Sequence, residues 1–553
     1  MDRRKFVKAV GVASSAMAIS FSGRSVSAQK NPLTGKKPNI ILILVDDMGF
    51  ADIGCYGSEI ETPNLDRLAR EGLRFRQFYN CSRCCPTRAS ILTGLYPHQT
   101  GIGDMVNPGF DFGKPGYRGR LNRQCVTIAE VLGSTGYHTF MSGKWHLSQD
   151  PDCLPNDRGF EEYYGLLYGA GNYFKPKGLM RNRDEINPED LPLDYYTTDA
   201  FTDMALEFIK KYQPDGKPFF LYLAYNAPHW PLHAKPEDIE KYQGKYLKGW
   251  DVLRQERYER QIGLKIIDRK WRLSERDPKV PAWDDISEEL KIKTALKMSV
   301  YAGMIDCIDQ NIGKLVQCLG NMGILDNTLI MFLSDNGACW ETGAFGFDWN
   351  IKYSLQKYKE LNEIGTAKSF VSYGRCWSNA GNTPFRLHKH WVHEGGISTP
   401  LIAYWPSGIT EKGKISEEIG HVVDIMATCL DVSGAEYPEA FKGNQILPLE
   451  GKSLAPVFAD KKREGHEFIG WEHEGNRAIL KDNWKLVSAY PDEWELYDLE
   501  DDRTETNNLA KNHPLKRIEM EKLYQEWARS HWVEPWNPVN KYWPWIKGTI
   551  KPG

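Results

Sequence analysis

The sequence predicts an α/β protein: a large, mixed, mostly parallel sheet sandwiched by helices, with a smaller C-terminal α+β subdomain that contains an antiparallel sheet. Three observations predict it. The run Ile40-Ile41-Leu42-Ile43-Leu44-Val45 is continuously apolar, as a central parallel strand buried on both faces must be. Further apolar runs at 137–141, 219–223, 328–333 and 400–404 are separated by helical stretches, the order of a layered α/β domain. From about Glu467 the texture changes to short alternating segments at 477–480, 484–487 and 495–499, then a helical stretch over 518–527. That is the pattern of a small antiparallel sheet with a helix.

In chain order, residues 1–28 have the order of an export leader. Arg3, Arg4, Lys5 and Lys8 precede an apolar run over 9–21, and small residues at Ser25, Ser27 and Ala28 mark a cut before Gln29. The pair Arg3-Arg4 with Phe6-Val7-Lys8 resembles the twin-arginine type, although Asp2 stands where that motif has Ser or Thr; an ordinary secretory leader is the alternative. The expected location is periplasmic or secreted. A main domain is expected over 36–465, in which Thr62 is read as the N-cap of a helix opening at Pro63. A charge-rich insertion over about 235–297 mixes Arg254, Arg257, Arg260, Arg269 and Arg272 with acids, the mark of a solvated helical face. The C-terminal subdomain is expected over 466–553.

Composition removes several function classes. With 553 residues, 70 Lys plus Arg and 73 Asp plus Glu, the net charge is −3, which excludes a globally basic nucleic-acid binder. Past the leader no apolar run approaches the roughly 18 residues of a membrane span. Eleven cysteines are too sparse for a disulfide scaffold and form no paired CxxC zinc knuckles; Cys307, Cys318 and Cys429 sit in apolar helical patterns as small hydrophobes.

Ligands in open α/β sheets collect beyond the carboxyl ends of the strands. Two predicted strands end there in oxygen donors, Asp46-Asp47 after Val45 and Asp335-Asn336 after Ser334. Three carboxylates and an amide oxygen suit a hard divalent cation, Ca2+ or Mg2+, rather than zinc.

The segment Cys84-Cys85-Pro86-Thr87-Arg88 followed by Leu92-Thr93-Gly94 resembles the signature of the type I sulfatases, formylglycine-dependent members of the alkaline phosphatase superfamily. Gly143-Lys144-Trp145-His146, Pro228-His229-Trp230-Pro231, the stretch from Arg386 through Lys389 to Glu394-Gly395-Gly396, and Glu495-Leu496-Tyr497-Asp498-Leu499 with Asn508-Leu509 match that family in order. The resemblance implies an alkaline phosphatase-like fold and hydrolysis of a sulfate monoester. It selects Cys84, two before the proline, for oxidation to formylglycine by a separate maturation enzyme. It further implies one Ca2+ held by Asp46, Asp47, residue 84, Asp335 and Asn336, with Arg88, Lys144, His146, His229, Asp335 and Lys389 as catalytic partners of Cys84. Asp335 would assist the nucleophile, His229 with Lys389 would protonate the leaving alcohol, and His146 would take the proton that releases sulfate.

Loops bearing Asn172, Tyr173, His388 and Trp391 carry groups compatible with a sugar, so the expected substrate is a carbohydrate sulfate attacked at a chain end. An arylsulfatase of broad specificity is the first alternative. A phosphoester or phosphonate hydrolase of the same superfold is the second, and Asn336 in place of the histidine of the two-zinc enzymes argues against it. A retired scaffold that only binds glycans is the third, drawing on the aromatic tail Trp532, Trp536, Tyr542, Trp543 and Trp545.

Overall fold

The strand Asn39–Val45 lies at the centre of the molecule, and its alternate side chains serve two different cores. Ile41, Ile43 and Val45 face one; Ile40, Leu42 and Leu44 face the other. All six are fully buried, and at about 1.5–3 kcal/mol for each buried aliphatic side chain this strand anchors both layers. The structure is a computed structural model that describes residues 36–106, 111–350 and 361–536. The leader and the aromatic positions Tyr542, Trp543 and Trp545 lie outside the described residues.

From edge to edge the ten-stranded sheet runs Lys414–Ser416, Leu73–Phe75, Leu401–Tyr404, Thr328–Ser334, Asn39–Val45, Phe219–Ala224, His138–Lys144, Glu162–Leu166, Leu179–Arg181 and Asp184–Glu185. The strands from Thr328–Ser334 across to Glu162–Leu166 are parallel. Leu401–Tyr404 runs antiparallel to Thr328–Ser334. The chain reaches it from residues 389–396, which lie at the carboxyl edge of the parallel strands, so it re-enters the sheet from that end. Helices Pro63–Glu71, Thr197–Tyr212 and Glu288–Asn321 cover one face. Helices Cys84–Thr93, Ile128–Ser134 and Asp424–Ser433 cover the other. Among the described residues no helix is long and apolar enough to cross a membrane.

Strands Ile469–His473, Asn476–Lys481, Trp484–Ser488 and Glu495–Asp498 form a separate antiparallel sheet backed by helix Pro514–Ser530. Buried charge ties it to the main sheet. Glu394 accepts from Lys485 Nζ at 2.8 Å and Arg503 Nε at 3.2 Å, and Lys485 also meets Glu505 at 2.8 Å. Removing one partner of such a set strands a buried charge, at a cost of about 3–5 kcal/mol.

Two local expectations need correction. The charged insertion is not a solvated face throughout: on helix Gly249–Gly263, Arg254 is 4% exposed and Arg257 fully buried. Arg257 pairs with Asp52 at 2.6 Å and Glu59 at 2.8 Å, partners far away in sequence. Thr62 does precede helix Pro63–Glu71, but its hydroxyl accepts from Gly54 N–H at 2.8 Å and makes no capping bond. Asp309 supplies that cap, accepting from Asn64 N at 3.1 Å and Leu65 N at 2.7 Å.

Candidate active site

The segment that carries Cys84 is built by local rules. Helix Cys84–Thr93 starts at Cys84, with Pro86 inside the first turn, where no N–H is needed. Thr87 turns its hydroxyl back to accept from Cys81 N–H at 2.9 Å, pinning the loop that leads in. Gly94 closes the helix at φ 69° and donates to Ser90 O at 2.8 Å. Each fixed position of the segment thus has a structural task, and together they bury Cys84 to 1% exposure. Cys85 and Cys81 have partners of their own: Cys85 Sγ, which lies beside Cys84, accepts from Val106 N–H at 3.3 Å, and Cys81 Sγ lies 3.5 Å from Ser90 Oγ.

The parallel strands deliver the remaining groups to the same edge. Asp46-Asp47 and Asp335-Asn336 follow neighbouring strands, and Lys144 ends the next strand but one. Gly143 is obligatory there, because a Cβ would sit 1.9 Å from Ala224 O. Lys144 Nζ reaches Asp46 Oδ2 at 2.5 Å. Arg88 donates to Asp335 Oδ2 from Nε at 3.0 Å and Nη2 at 2.8 Å, and to Lys144 O at 2.8 Å. Lys389 Nζ meets Asp47 at 2.8 Å and His229 Nε2 at 3.4 Å. Asn336 Nδ2 donates to Asp47 Oδ1 at 2.7 Å, and His146 Nδ1 lies 3.5 Å from Cys84 Sγ. The structure therefore brings together Asp46, Asp47, Cys84, Arg88, Lys144, His146, His229, Asp335, Asn336 and Lys389, none more than 5% exposed.

Three cations here face three carboxylates. Burial, with the Asp46 charge added, pushes the Asp335 carboxyl well above its ordinary range. Burial acts the same way on Asp46, but Lys144, His229 and Arg88 outweigh it and hold Asp46 low. The Cys84 thiol is held well below its usual value by a hydrogen bond from Cys85, with Lys144 and His146 adding to it against burial. Burial lowers His146 to about 4, which keeps its imidazole neutral at pH 7. Asp46 Oδ1 and Asn336 Oδ1 are buried without a hydrogen-bond partner. Two orphaned oxygens among clustered carboxylates are what a hard divalent cation would satisfy, so the donor set fits Ca2+.

The chain matches the Sulfatase family model over residues 38–435. It is a member of the sulfatase family. A second model, N-sulphoglucosamine sulphohydrolase, C-terminal, matches 385–530 of this sulfatase. It is 37% identical over 507 residues to an uncharacterized sulfatase of Schizosaccharomyces pombe, covering 87% of this chain and 91% of that one. It is 34% identical over 459 residues to an arylsulfatase of Klebsiella aerogenes, covering 81% and 97%. Among solved structures, Ps i-CgsB in complex with k-i-k-neocarrahexaose superposes with a TM-score of 0.66 at 27% identity, covering 91% of this chain and 95% of that one.

The sugar-facing residues expected from sequence fare differently. Tyr173 is 1% exposed, with its hydroxyl against Asn226 O at 2.7 Å and His229 O at 2.8 Å, so it braces the His229 loop rather than meeting a ligand. His388 is fully buried between Ser378 Oγ at 2.7 Å and Asp277 Oδ2 at 3.0 Å. Asn172 spends its amide on Ala367 O and on the N–H groups of Phe174 and Lys175. Trp391 is half-buried, packed on Trp340 and Arg375. Sequence reading missed Glu341 and Arg83. Glu341 accepts from Arg83 Nη1 at 2.7 Å and Trp230 Nε1 at 3.0 Å and lies 3.8 Å from Lys389 Nζ. Arg83 was signalled by its place beside Cys84; Glu341 sits in a loop, where no spacing rule points to it.

Proposed function

We propose that this sulfatase is exported, is matured by a formylglycine-generating enzyme at Cys84, and hydrolyses a sulfate monoester at the end of a carbohydrate chain with one bound Ca2+. The observation that carries this reading is the convergence of Arg88, Lys144 and Lys389 with the two imidazoles of His146 and His229 around residue 84. The depth of these groups favours entry of a terminal sugar. An oligosaccharide in the related Ps i-CgsB structure and a rim carrying Trp230 and Trp391 favour a glycan.

In the chemistry, the Cys84 Sγ marks the place of the formylglycine oxygens. Formylglycine at residue 84 would supply the nucleophile as its hydrate, and Asp46, Asp47, Asp335 and Asn336 together with residue 84 would hold a Ca2+ whose contribution would be positive charge. The chain's own groups do the rest. Lys144 and Lys389 balance the sulfate charge in a site closed to water, where fixed charge is worth most. Arg88 locks Asp335 beside residue 84 through two bonds to one carboxylate oxygen, and Asp335 is placed to assist deprotonation there. His229 Nδ1 lies 2.6 Å from Trp230 O and so carries a hydrogen, which leaves Nε2 as the acceptor 3.4 Å from Lys389 Nζ; the Lys389 ammonium supplies the proton, and Nε2 relays it to the departing alcohol. Neutral His146 faces residue 84 from the other side, ready to take a proton when sulfate leaves.

The test uses protein coexpressed with the maturation enzyme. Peptide mass spectrometry should find the aldehyde at residue 84, and sulfate release should be faster from terminally sulfated saccharides than from aryl sulfates. Aryl sulfates matching every saccharide would support the broad arylsulfatase reading, which the Klebsiella aerogenes relative favours. Full turnover by Cys84→Ala would overturn the mechanism.

A further inference from the structure

Lys389 is backed by a buried chain of polar groups that the reaction above does not use. The Lys389 N–H donates to Ala338 O at 3.1 Å, and Ser378 Oγ reaches the same carbonyl at 2.9 Å. Ser378 Oγ also lies 2.7 Å from His388 Nδ1, and His388 Nε2 lies 3.0 Å from Asp277 Oδ2. Arg375 Nη1 donates to that same carboxylate oxygen at 2.9 Å, and Lys279 N–H donates to the other, Oδ1, at 2.8 Å. None of Asp277, Arg375, Ser378 and His388 is more than 8% exposed. Asp277 belongs to the charge-rich insertion, while Arg375 and Ser378 lie on helix Gly374–Gly381, so separate segments meet at one turn.

That turn has a backbone its own residues do not favour. Leu387 at φ 65° and His390 at φ 91° flank His388-Lys389, and non-glycine residues persist in that region only where their surroundings hold them there. Asn382 fastens the first, donating from Nδ2 to Leu387 O at 2.9 Å while its Oδ1 accepts from Ala338 N–H at 2.9 Å. His390 N–H fastens the second by donating to Ser82 O at 2.8 Å. Between them the His388 ring is tied at both nitrogens. Burial would raise the Asp277 pKa, but His388, Lys279 N–H and Arg375 outweigh it and hold the carboxyl well below its ordinary value. As a carboxylate Asp277 only accepts, so His388 Nε2 carries a hydrogen and the ring is fixed in place.

We infer that Asp277, His388 and Ser378 are positioning residues for Lys389, holding its ammonium where it can pass a proton through His229 to the departing alcohol. This rests on the role given to Lys389 above. Lys389 Nζ sits among Asp47 at 2.8 Å, His229 Nε2 at 3.4 Å and Glu341 at 3.8 Å. Two carboxylates compete with the imidazole for it, so its approach to His229 depends on where its backbone is fixed. Proton transfer needs donor and acceptor within hydrogen-bond reach, and a misplacement of about 1 Å can cost about 10²-fold in rate.

The test compares the matured native enzyme with Asp277→Ala on two substrates that differ in leaving group. The phenolate of 4-nitrophenyl sulfate departs without a proton, whereas the alcohol of N-acetylglucosamine 6-sulfate needs one. The variant should lose at least about tenfold more kcat on the sugar sulfate than on the aryl sulfate, since positioned proton transfer contributes about 10²–10⁴-fold. KM for each should stay within about threefold of native, because Asp277 does not reach the sulfate pocket. Amide exchange at Lys389 should quicken at least about fivefold, with helix Thr197–Tyr212 unaltered. Ser378→Ala, which leaves the Asp277–Arg375 pair in place, should give the same pattern and decides the matter where Asp277→Ala does not fold. Equal losses on the two substrates, or unchanged exchange at Lys389, in a folded variant would overturn the positioning role. Quickened exchange at Lys389 in a protein whose native form releases sulfate from neither substrate would support the positioning and count against the hydrolytic reading.

Discussion

Asp46 and Asn336 each keep one buried oxygen without a hydrogen-bond partner while their other polar atoms are engaged, and that asymmetry defines what a cation would change. An unsatisfied buried polar atom costs about 1–3 kcal/mol, and the clustered carboxylates of Asp46, Asp47 and Asp335 add repulsion. A divalent cation relieves both at once, so occupancy stabilises the native state by mass action. Adding Ca2+ to chelator-stripped protein should raise the melting temperature by several degrees, and Asp46→Ala should abolish that shift. An equal shift in Asp46→Ala would place the cation elsewhere. At this scale the convergence of Asp46, Asp47, Asp335 and Asn336 was legible because a strand end fixes where the next two residues go. Tyr173 and His388 were misread because residue type says nothing about which partner a polar atom has found; the structure gives both to the protein interior.

Helix Pro63–Glu71 shows the same division one level up. Its start was visible in Thr62-Pro63, because proline suits a first turn, yet the cap is a tertiary one. Asp309, on helix Glu288–Asn321, accepts from Asn64 N, Asn64 Nδ2 and Leu65 N. The carboxylate closes that helix end and locks two helices together, and burial raises Asp309 to about 6 against those hydrogen bonds. Losing a cap costs about 0.5–2 kcal/mol. Amide exchange at Asn64 and Leu65 in Asp309→Ala should therefore quicken about three- to thirtyfold at pH 8, with much less change in helix Thr197–Tyr212. Equal acceleration in both helices would mean that Asp309 supports the whole layer rather than this terminus.

The whole molecule depends on a joint that the sequence displays only as separate motifs. Buried strands and the C-terminal sheet were readable because hydrophobic period and turn residues are local. The order of strands and the contacts between the two sheets depend on pairs a hundred or more residues apart. Glu495 is such a contact: it accepts from His393 Nε2 at 3.1 Å and Arg386 Nη1 at 3.2 Å across the joint, and from Tyr497 Oη at 2.7 Å within its own sheet. Burial would raise its pKa, but His393, Arg386 and Tyr497 prevail and lower it to about 2. An unfolded glutamate titrates near 4.3, so on acidification the unfolded chain takes up this proton first. The stabilisation by Glu495 is then complete above about pH 4.3 and is lost as pH falls toward 2. Other depressed carboxylates, Asp277 among them, drive the general acid loss, so the difference between proteins isolates this one. Melting curves of the native protein and Glu495→Gln should be well separated at pH 6, with the variant lower, and should converge between pH 4.3 and 2. A constant gap across that range would show that Glu495 holds the joint through shape and neutral hydrogen bonding rather than through its charge.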